Sequence, residues 1–385
     1  MGWCTTSDLD RFAAAAGGYL RSRAAENTLL LSAALAVRSG WHSPVVGQPS
    51  GPGAAAGGAD GATGLLFGWW EPPDGSGARG AFFHDPAAPL LFAGRVPEMA
   101  AALAGTLSKL GRHVSGVDAP IEAADAFAAA WSQRAHSSIR VHRQCRVYRL
   151  TAAAAAGDGG AGGVGGAGGG PGGWPPAATP GPAGRLRVMT IADRALLIDW
   201  LVAYGIEAGE RIGSPQDMAD DLISYGGGVL WEIPHRPFRI KEAAHYLVSP
   251  QHRDALQQSE PAYQPVAMAA VARPVVGTVR ISMVYTPPER RRSGHAAAAT
   301  LMTSRAILAG SVPCSTVTGP EVNSEVVLIA DGNRPDRQVT RLGFQLVGER
   351  AVLRFGPSTG PLPKLQSTTR PMPRLPTGPL PRLRR

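Results

Sequence analysis

Apolar residues near the start of the chain recur on one helical face: Leu9, Phe12, Ala13, Ala16, Tyr19 and Leu20, with Thr6 or Ser7 placed to cap the helix. A second helical run covers residues 25–37. The Gly, Pro and Ala-rich stretch 47–64 then breaks the pattern and reads as a loop. Residues 65–71 and 80–83 follow as neighbouring strands around the turn Pro73-Asp74-Gly75. Helical spacing returns over 96–110 and 121–134, on either side of a short segment at 113–118. Residues 143–150 close this half as a strand.

Residues 151–184 are almost wholly Ala, Gly and Pro, with Asp158 the only charge. That composition has little to pack and predicts a flexible linker, in which Trp174 is an isolated aromatic. After it the pattern restarts. Strands are predicted over 185–189, 226–231 and 276–285, with helices over 191–206, capped near Thr190, and 215–224. Pro287 and Pro288 forbid continuation of the third strand, and an alanine-rich helix runs over 295–308. Residues 325–331 read as the next strand, with 314–318 as the alternative, and 345–355 as the last. Two local likenesses tie the halves together. Gly64-Leu65-Leu66-Phe67-Gly68-Trp69-Trp70-Glu71 resembles Gly226-Gly227-Gly228-Val229-Leu230-Trp231-Glu232, and Arg146-Val147-Tyr148-Arg149-Leu150 resembles Ala351-Val352-Leu353-Arg354-Phe355. These read as two copies of one unit.

A chain of 385 residues, 44% of them hydrophobic, is long enough for two or three ordinary domains with a real core. Its formal net charge of +9 includes Lys364, Arg370, Arg374, Arg382, Arg384 and Arg385, which lie in a tail (356–385) without an acidic residue. Without those six the charge is only +3, which argues against a nucleic-acid partner. The tail alternates proline with leucine and arginine and is expected to be disordered or polyproline-like. Cys4, Cys145 and Cys314 are distant and odd in number, so neither a disulfide framework nor a zinc site is suggested, and the compartment reads as reducing. His245 and His252 are separated by Pro250, and no carboxylate and histidine cluster has metal spacing. No charged and apolar leader follows Met1, and no run reaches membrane-span length. A cytoplasmic protein with no membrane partner is expected.

The densest chemistry lies in Val284-Tyr285-Thr286-Pro287-Pro288-Glu289-Arg290-Arg291-Arg292-Ser293-Gly294-His295-Ala296. It reads as a strand end, a turn and a helix start. Unpaired N–H groups at the helix N-terminus, beside Arg290, Arg291 and Arg292, make an anion site suited to phosphate.

At these residues the sequence resembles the GNAT acetyltransferase superfamily, whose acetyl-CoA pyrophosphate loop reads Arg/Gln-x-x-Gly-x-Gly/Ala and is filled here by Arg291, Gly294 and Ala296. The preceding Val-Tyr-Thr-Pro-Pro-Glu is similar to a run in many actinobacterial members, and Leu342-Gly343-Phe344 resembles the tripeptide that closes the helix after the second core strand. The resemblance covers about residues 185–355. It implies an α/β (α+β) chain of tandem GNAT-like folds, each with a mixed central sheet flanked by helices, and a bacterial source. Residues 1–150 would then be a degenerate unit, 151–184 the linker, 185–355 the acetyltransferase unit and 356–385 the tail. Residues 240–265 and 311–324 would be insertions relative to the family.

The chemistry the resemblance implies is N-acetyl transfer, by direct attack of a primary amine on acetyl-CoA as cosubstrate, without a metal. Arg291, Arg292, Ser293, Gly294, His295 and Ala296 would hold the pyrophosphate. The backbone of Met283, Val284 and Tyr285 would pair with the pantetheine arm, and Asn333, which keeps the family spacing after Asp331, would join the coenzyme contacts. Glu232 is the candidate base, with a water relay as the alternative. The tyrosine that many members use to protonate the leaving thiolate is Val339 here, and Thr340 is turned about 100° from it on a helix. Tyr285 is therefore the substitute acid, unless the thiolate leaves unaided. A non-catalytic acyl-CoA sensor or scaffold remains the alternative function.

Overall fold

The computed structural model describes residues 2–40, 64–156, 183–209, 212–235, 262–312, 324–332 and 337–357. His245, His252, Cys314, Asn333, Trp174, most of both insertions, the centre of the linker and nearly all of the tail lie outside these residues.

The chain opens with β1 (Gly2–Thr6), α1 (Leu9–Ser22) and α2 (Thr28–Ser39), then β2 (Leu66–Glu71), β3 (Gly80–His84) and β4 (Leu90–Ala93). Next come α3 (Pro97–Lys109), β5 (Gly116–Pro120), α4 (Ile121–Ala135), β6 (Ser137–Thr151) and a short α5 (Ala152–Ala156). The second half repeats the plan with β7 (Arg185–Val188), α6 (Arg194–Ala208), α7 (Pro215–Ser224), β8 (Gly228–His235), β9 (Ala262–Val271) and β10 (Thr278–Tyr285). It ends with α8 (His295–Leu308), β11 (Glu325–Asp331), α9 (Arg337–Thr340) and β12 (Gln345–Pro357).

All twelve strands form one mixed sheet in the order β1-β2-β3-β4-β5-β12-β6-β11-β10-β9-β8-β7. From either edge inward the sequence of pairings is the same. Four strands run antiparallel to their neighbours, the fourth pairs in parallel with a fifth (β4 with β5, β10 with β11), and a sixth runs antiparallel to the fifth. In each half that sixth strand comes from the other half: β12 lies against β5, and β6 lies against β11. β6 and β12 also pair with each other, from Gln345 opposite Arg149 to Pro357 opposite Ser137. The two likenesses in the sequence fall on β2 with β8 and on β6 with β12, which occupy equivalent places in this arrangement.

Both faces of the sheet are covered, so its strands read as continuous apolar runs and not as alternation. Phe82 packs with Met99, Leu103 and Phe127 of α3 and α4, while its neighbour Phe83 packs with Phe12, Leu20 and Leu30 of α1 and α2. In the second half Val229 and Ile281 pack under Ala298, Ala299 and Ile307 of α8, whereas Leu230 and Met283 face Leu197, Leu201 and Leu222 of α6 and α7.

Several expectations shift. Thr6 ends a strand opposite Phe67, and Asp8 caps α1 by accepting from the N–H groups of Asp10 and Arg11. β6 begins six residues earlier than the alternation predicts, at Ser137. The expected linker starts later, because Thr151 pairs with Glu325 and Ala154 and Ala155 pack against the core. Val276 belongs to a turn with φ +51°, so β10 starts at Thr278. Gly356 and Pro357 remain in β12.

His84 on β3 has no exposed surface. Its Nε2 lies 2.9 Å from the His113 carbonyl and its Nδ1 has no hydrogen-bond partner, so burial, reinforced by Arg112, holds its pKa below the ordinary value. Burial also lowers the pKa of His142 and of His295. The native state thus prefers neutral rings and the unfolded chain binds more protons. Stability is present above the unfolded histidine value and is lost as pH falls toward the lowered native values. Denaturant unfolding should show a falling midpoint between about pH 7 and about pH 5, and His84→Phe should flatten part of that slope. A midpoint independent of pH in that window would contradict the assignment.

Candidate functional site

The parallel pair β10 and β11 does not stay together. Their register runs from Thr278 opposite Glu325 to Ile281 opposite Leu328 and stops there, although β10 continues to Tyr285 and β11 to Asp331. On its other side β10 remains paired with β9, through a register shift between Ile281 and Met283 that marks a bulge at Ser282. A bulge bends a strand and increases its local twist. The result is a wedge between β10 and β11, along which backbone groups of Met283, Val284 and Tyr285 that point toward β11 have no strand partner among the described residues.

The loop 286–294 leads from the wedge to α8. Pro288–Arg290 forms a single 3-10 turn, Arg292 takes φ +64°, and Gly294 takes φ +80° as the helix N-cap. Glycine suits that left-handed position, whereas an arginine there stores strain. Gly294 offers no capping side chain, and the helical ladder begins with Ala298 N–H donating to Gly294 O at 3.0 Å. The N–H groups of His295, Ala296 and Ala297 therefore have no acceptor within the helix.

The three consecutive arginines diverge. Arg290 donates to Gln264 Oε1 at 3.0 Å, on β9. Arg291 donates from Nε to Thr286 O at 2.9 Å and from a terminal nitrogen to Glu207 Oε2 at 2.5 Å, on α6. Arg292 and Ser293 are exposed beside the open helix end. His295 is buried, with Nδ1 unpartnered, and burial and Arg290 keep its ring neutral.

Tyr285 is buried in the cluster of Met283, Leu197 and Leu201, with its ring centroid 6.0 Å from that of Trp200. Burial first, and then Glu207, raise its pKa, so it is a protonated phenol at neutral pH. Val339, on α9, packs against the core beneath α8 together with Leu342 and Phe344.

Glu232 is not brought to the wedge. It lies on β8, which β9 separates from β10, and only 4% of its side chain is exposed. Its Oε2 accepts from Arg185 Nε and its Oε1 from Arg187 Nε, both at 2.9 Å, and Arg187 is also held by both oxygens of Asp193 at 2.8 and 2.9 Å. A carboxylate buried and clasped this way ties β7, β8 and the start of α6 together, on the far side of β9 from the wedge. Sequence reasoning missed its partners, although Arg185 and Arg187, two apart on a strand, necessarily share a face.

The equivalent place in the first half is closed. β4 and β5 pair only at Leu90 opposite Val117 and Leu91 opposite Asp118. Arg350, from β12, donates to the Asp118 carboxylate at 2.8 Å and to the Asp118 carbonyl at 2.9 Å, and reaches the Phe92 carbonyl at 3.5 Å. Its guanidinium thus bridges the two strands. Phe92 itself is buried beside Trp3, and β4 joins α3 through only residues 94–96, with Pro97 opening the helix. Among the described residues no group of His, Cys, Asp and Glu could hold a metal ion, and no helix is long and apolar enough to cross a membrane.

No protein-family model matches the sequence, and no curated protein does. Among solved structures, a Drosophila protein from a structural genomics programme is 11% identical, with 93% of this chain and 99% of that chain covered and a TM-score of 0.49. A GCN5-related N-acetyltransferase from Sphaerobacter thermophilus is 14% identical, covering 75% and 79%, with a TM-score of 0.41. A tandem GNAT protein from the clavulanic acid biosynthesis pathway is 12% identical, covering 86% and 88%, with a TM-score of 0.40. At this level of identity and superposition the likeness bears on neither substrate nor mechanism.

Proposed function

We propose that the second half is an N-acetyltransferase of the GNAT kind, which moves the acetyl group of acetyl-CoA to a primary amine. The observation that carries this reading is the wedge between β10 and β11 opening beside the uncapped N-terminus of α8. The residues fit the coenzyme's parts. The N–H groups of His295 and Ala296, with Arg292 and Ser293 beside them, suit a pyrophosphate. Unpaired backbone of Met283, Val284 and Tyr285 suits the amides of a pantetheine arm, by the same pairing that adds a strand to a sheet edge. Asn333, which lies outside the described residues, is assigned to the coenzyme contacts from the sequence resemblance alone.

Acetyl-CoA, when bound, supplies the activated thioester. As the amine adds to the carbonyl carbon, the carbon–sulfur bond breaks, and a backbone N–H on the open edge of β10 stabilises the charge gathering on oxygen. The amine's proton leaves through water, since Glu232 is buried on the far side of β9 from the wedge. Tyr285, a protonated phenol at the wedge, supplies a proton to the departing thiolate and regains one from the water that took the amine's proton. Val339 in place of the family's tyrosine is the one observation favouring the second reading, a chain that binds acyl-CoA without turning it over.

Ser293→Glu places a carboxylate beside the open helix end without disturbing a buried contact. Calorimetry should show acetyl-CoA affinity reduced about tenfold or more, as expected for a like-charge contact near a protein surface, with the melting temperature unchanged. Unchanged affinity would remove the loop from the coenzyme site.

Val339→Tyr restores the family's hydroxyl and should raise kcat for thiol release roughly tenfold, the low end of general-acid effects, at equal coenzyme affinity. If both proteins bind acetyl-CoA and neither releases thiol with any amine in a broad panel, the sensor reading stands instead.

A further inference from the structure

Glu207 lies near the C-terminal end of α6, yet it is tied to the anion loop. Its partner Arg291 belongs to the loop motif, and the two side chains are 47% and 39% exposed. The Arg291 guanidinium carbon stands 6.0 Å from the Tyr285 ring centroid, and the Tyr285 and Trp200 rings meet at 57°. Glu289 adds negative charge near Tyr285. A carboxylate beside aromatic faces is the constellation that receives an ammonium group, and here it is filled by the protein's own cation. Trp200, Tyr204 and Glu207 stand at i, i+4 and i+7 on one face of α6, so the surroundings of the carboxylate continue aromatic.

This inference rests on the coenzyme reading above together with the role the sequence resemblance gives Arg291 in the pyrophosphate loop, so that its guanidinium has two anions to serve, Glu207 and the pyrophosphate. We propose that they compete for it, and that once the coenzyme draws the guanidinium away, Glu207 with Tyr285 and Trp200 binds the ammonium head of an acceptor amine that carries an aromatic or apolar body. The coenzyme then binds first and uncovers the acceptor's place. Linkage makes the effect reciprocal: a cation that occupies Glu207 frees Arg291 and must tighten coenzyme binding by the same factor.

The test is calorimetric titration of the full chain with acetyl-CoA, for wild type and Glu207→Gln, alone and with saturating 2-phenylethylamine or uncharged 2-phenylethanol. Glu207→Gln should bind acetyl-CoA about two- to fivefold tighter, the scale of an exposed ion pair released. The amine should tighten wild type similarly and leave Glu207→Gln unchanged, and the alcohol should do nothing to either. A Glu207→Gln affinity equal to or weaker than wild type overturns the competition. An amine effect that is absent from wild type, or that persists in Glu207→Gln, overturns the acceptor site. Wild type that binds no acetyl-CoA overturns the coenzyme reading, and this inference with it, which is distinct from binding that ignores Glu207.

Discussion

The pairing of β6 with β12 is the contact on which the rest of the molecule depends. Each strand ends one half of the chain and completes the sheet of the other, and their mutual ladder joins the two halves into one sheet. Neither half could close its sheet alone without exposing the edge of β5 or β11, whose groups on that side are now paired. The Arg146–Glu349 ion pair, 3.0 Å across the ladder and mostly buried, helps fix its register. Because a one-residue slip would turn every side chain of β6 to the wrong face, Tyr148 and Leu150 under α8 fix it further.

The same exchange explains why equivalent halves carry different chemistry. In both, the inner parallel pair separates beyond its first residues. In the first half the donated strand brings Arg350 to the gap, where a buried guanidinium binds Asp118 and backbone carbonyls of both strands. Removing one partner of such a pair typically costs about 3–5 kcal/mol, so this gap is held shut. The strand donated to the second half pairs with β11 throughout, from Glu325 opposite Thr151 to Asp331 opposite Cys145. The loop 286–294 is also longer than 94–96, and Pro97 removes one N–H from the first turn of α3, although its N-cap Val96 likewise offers no capping side chain.

Much of this was legible in the sequence, and the reasons for the misses are physical. α8 lies where periodicity and breakers put it, since a long alanine run after prolines admits few alternatives, and β11 falls on 325–331, the run preferred to 314–318 for its family spacing to Leu342-Gly343. β4 escaped because a four-residue strand buried throughout does not alternate, β1 because it is a half-exposed edge strand of five residues, and β9 because it begins inside the stretch 240–265 read as an insertion. Strand exchange was invisible, because a pattern reports which face of a strand is buried and not which strand lies beside it. The anion loop was readable from its residue types. The engagement of Glu232 and the reach of Glu207 to Arg291 were not, since both depend on which elements the sheet order makes neighbours.

The open loop is also a local loss of stability, and its cost shows how firmly α8 must be held. A missing side-chain cap forgoes about 1 kcal/mol, and the left-handed Arg292 stores a further 1–3 kcal/mol or so. The helix tolerates both because its stability does not come from its first turn. Ala298, Ala299 and Ile307 are fully buried, and the two alanines let the helix lie close on β9 and β10. Burying one Ile contributes about 1.5–3 kcal/mol, so packing further along α8 offsets what its N-terminus lacks. The N–H groups that point out of the first turn thus stay fixed and uncapped, as a rigid anion site requires. A helix held only by its own capping could not provide this, since satisfying its first turn would remove the donors.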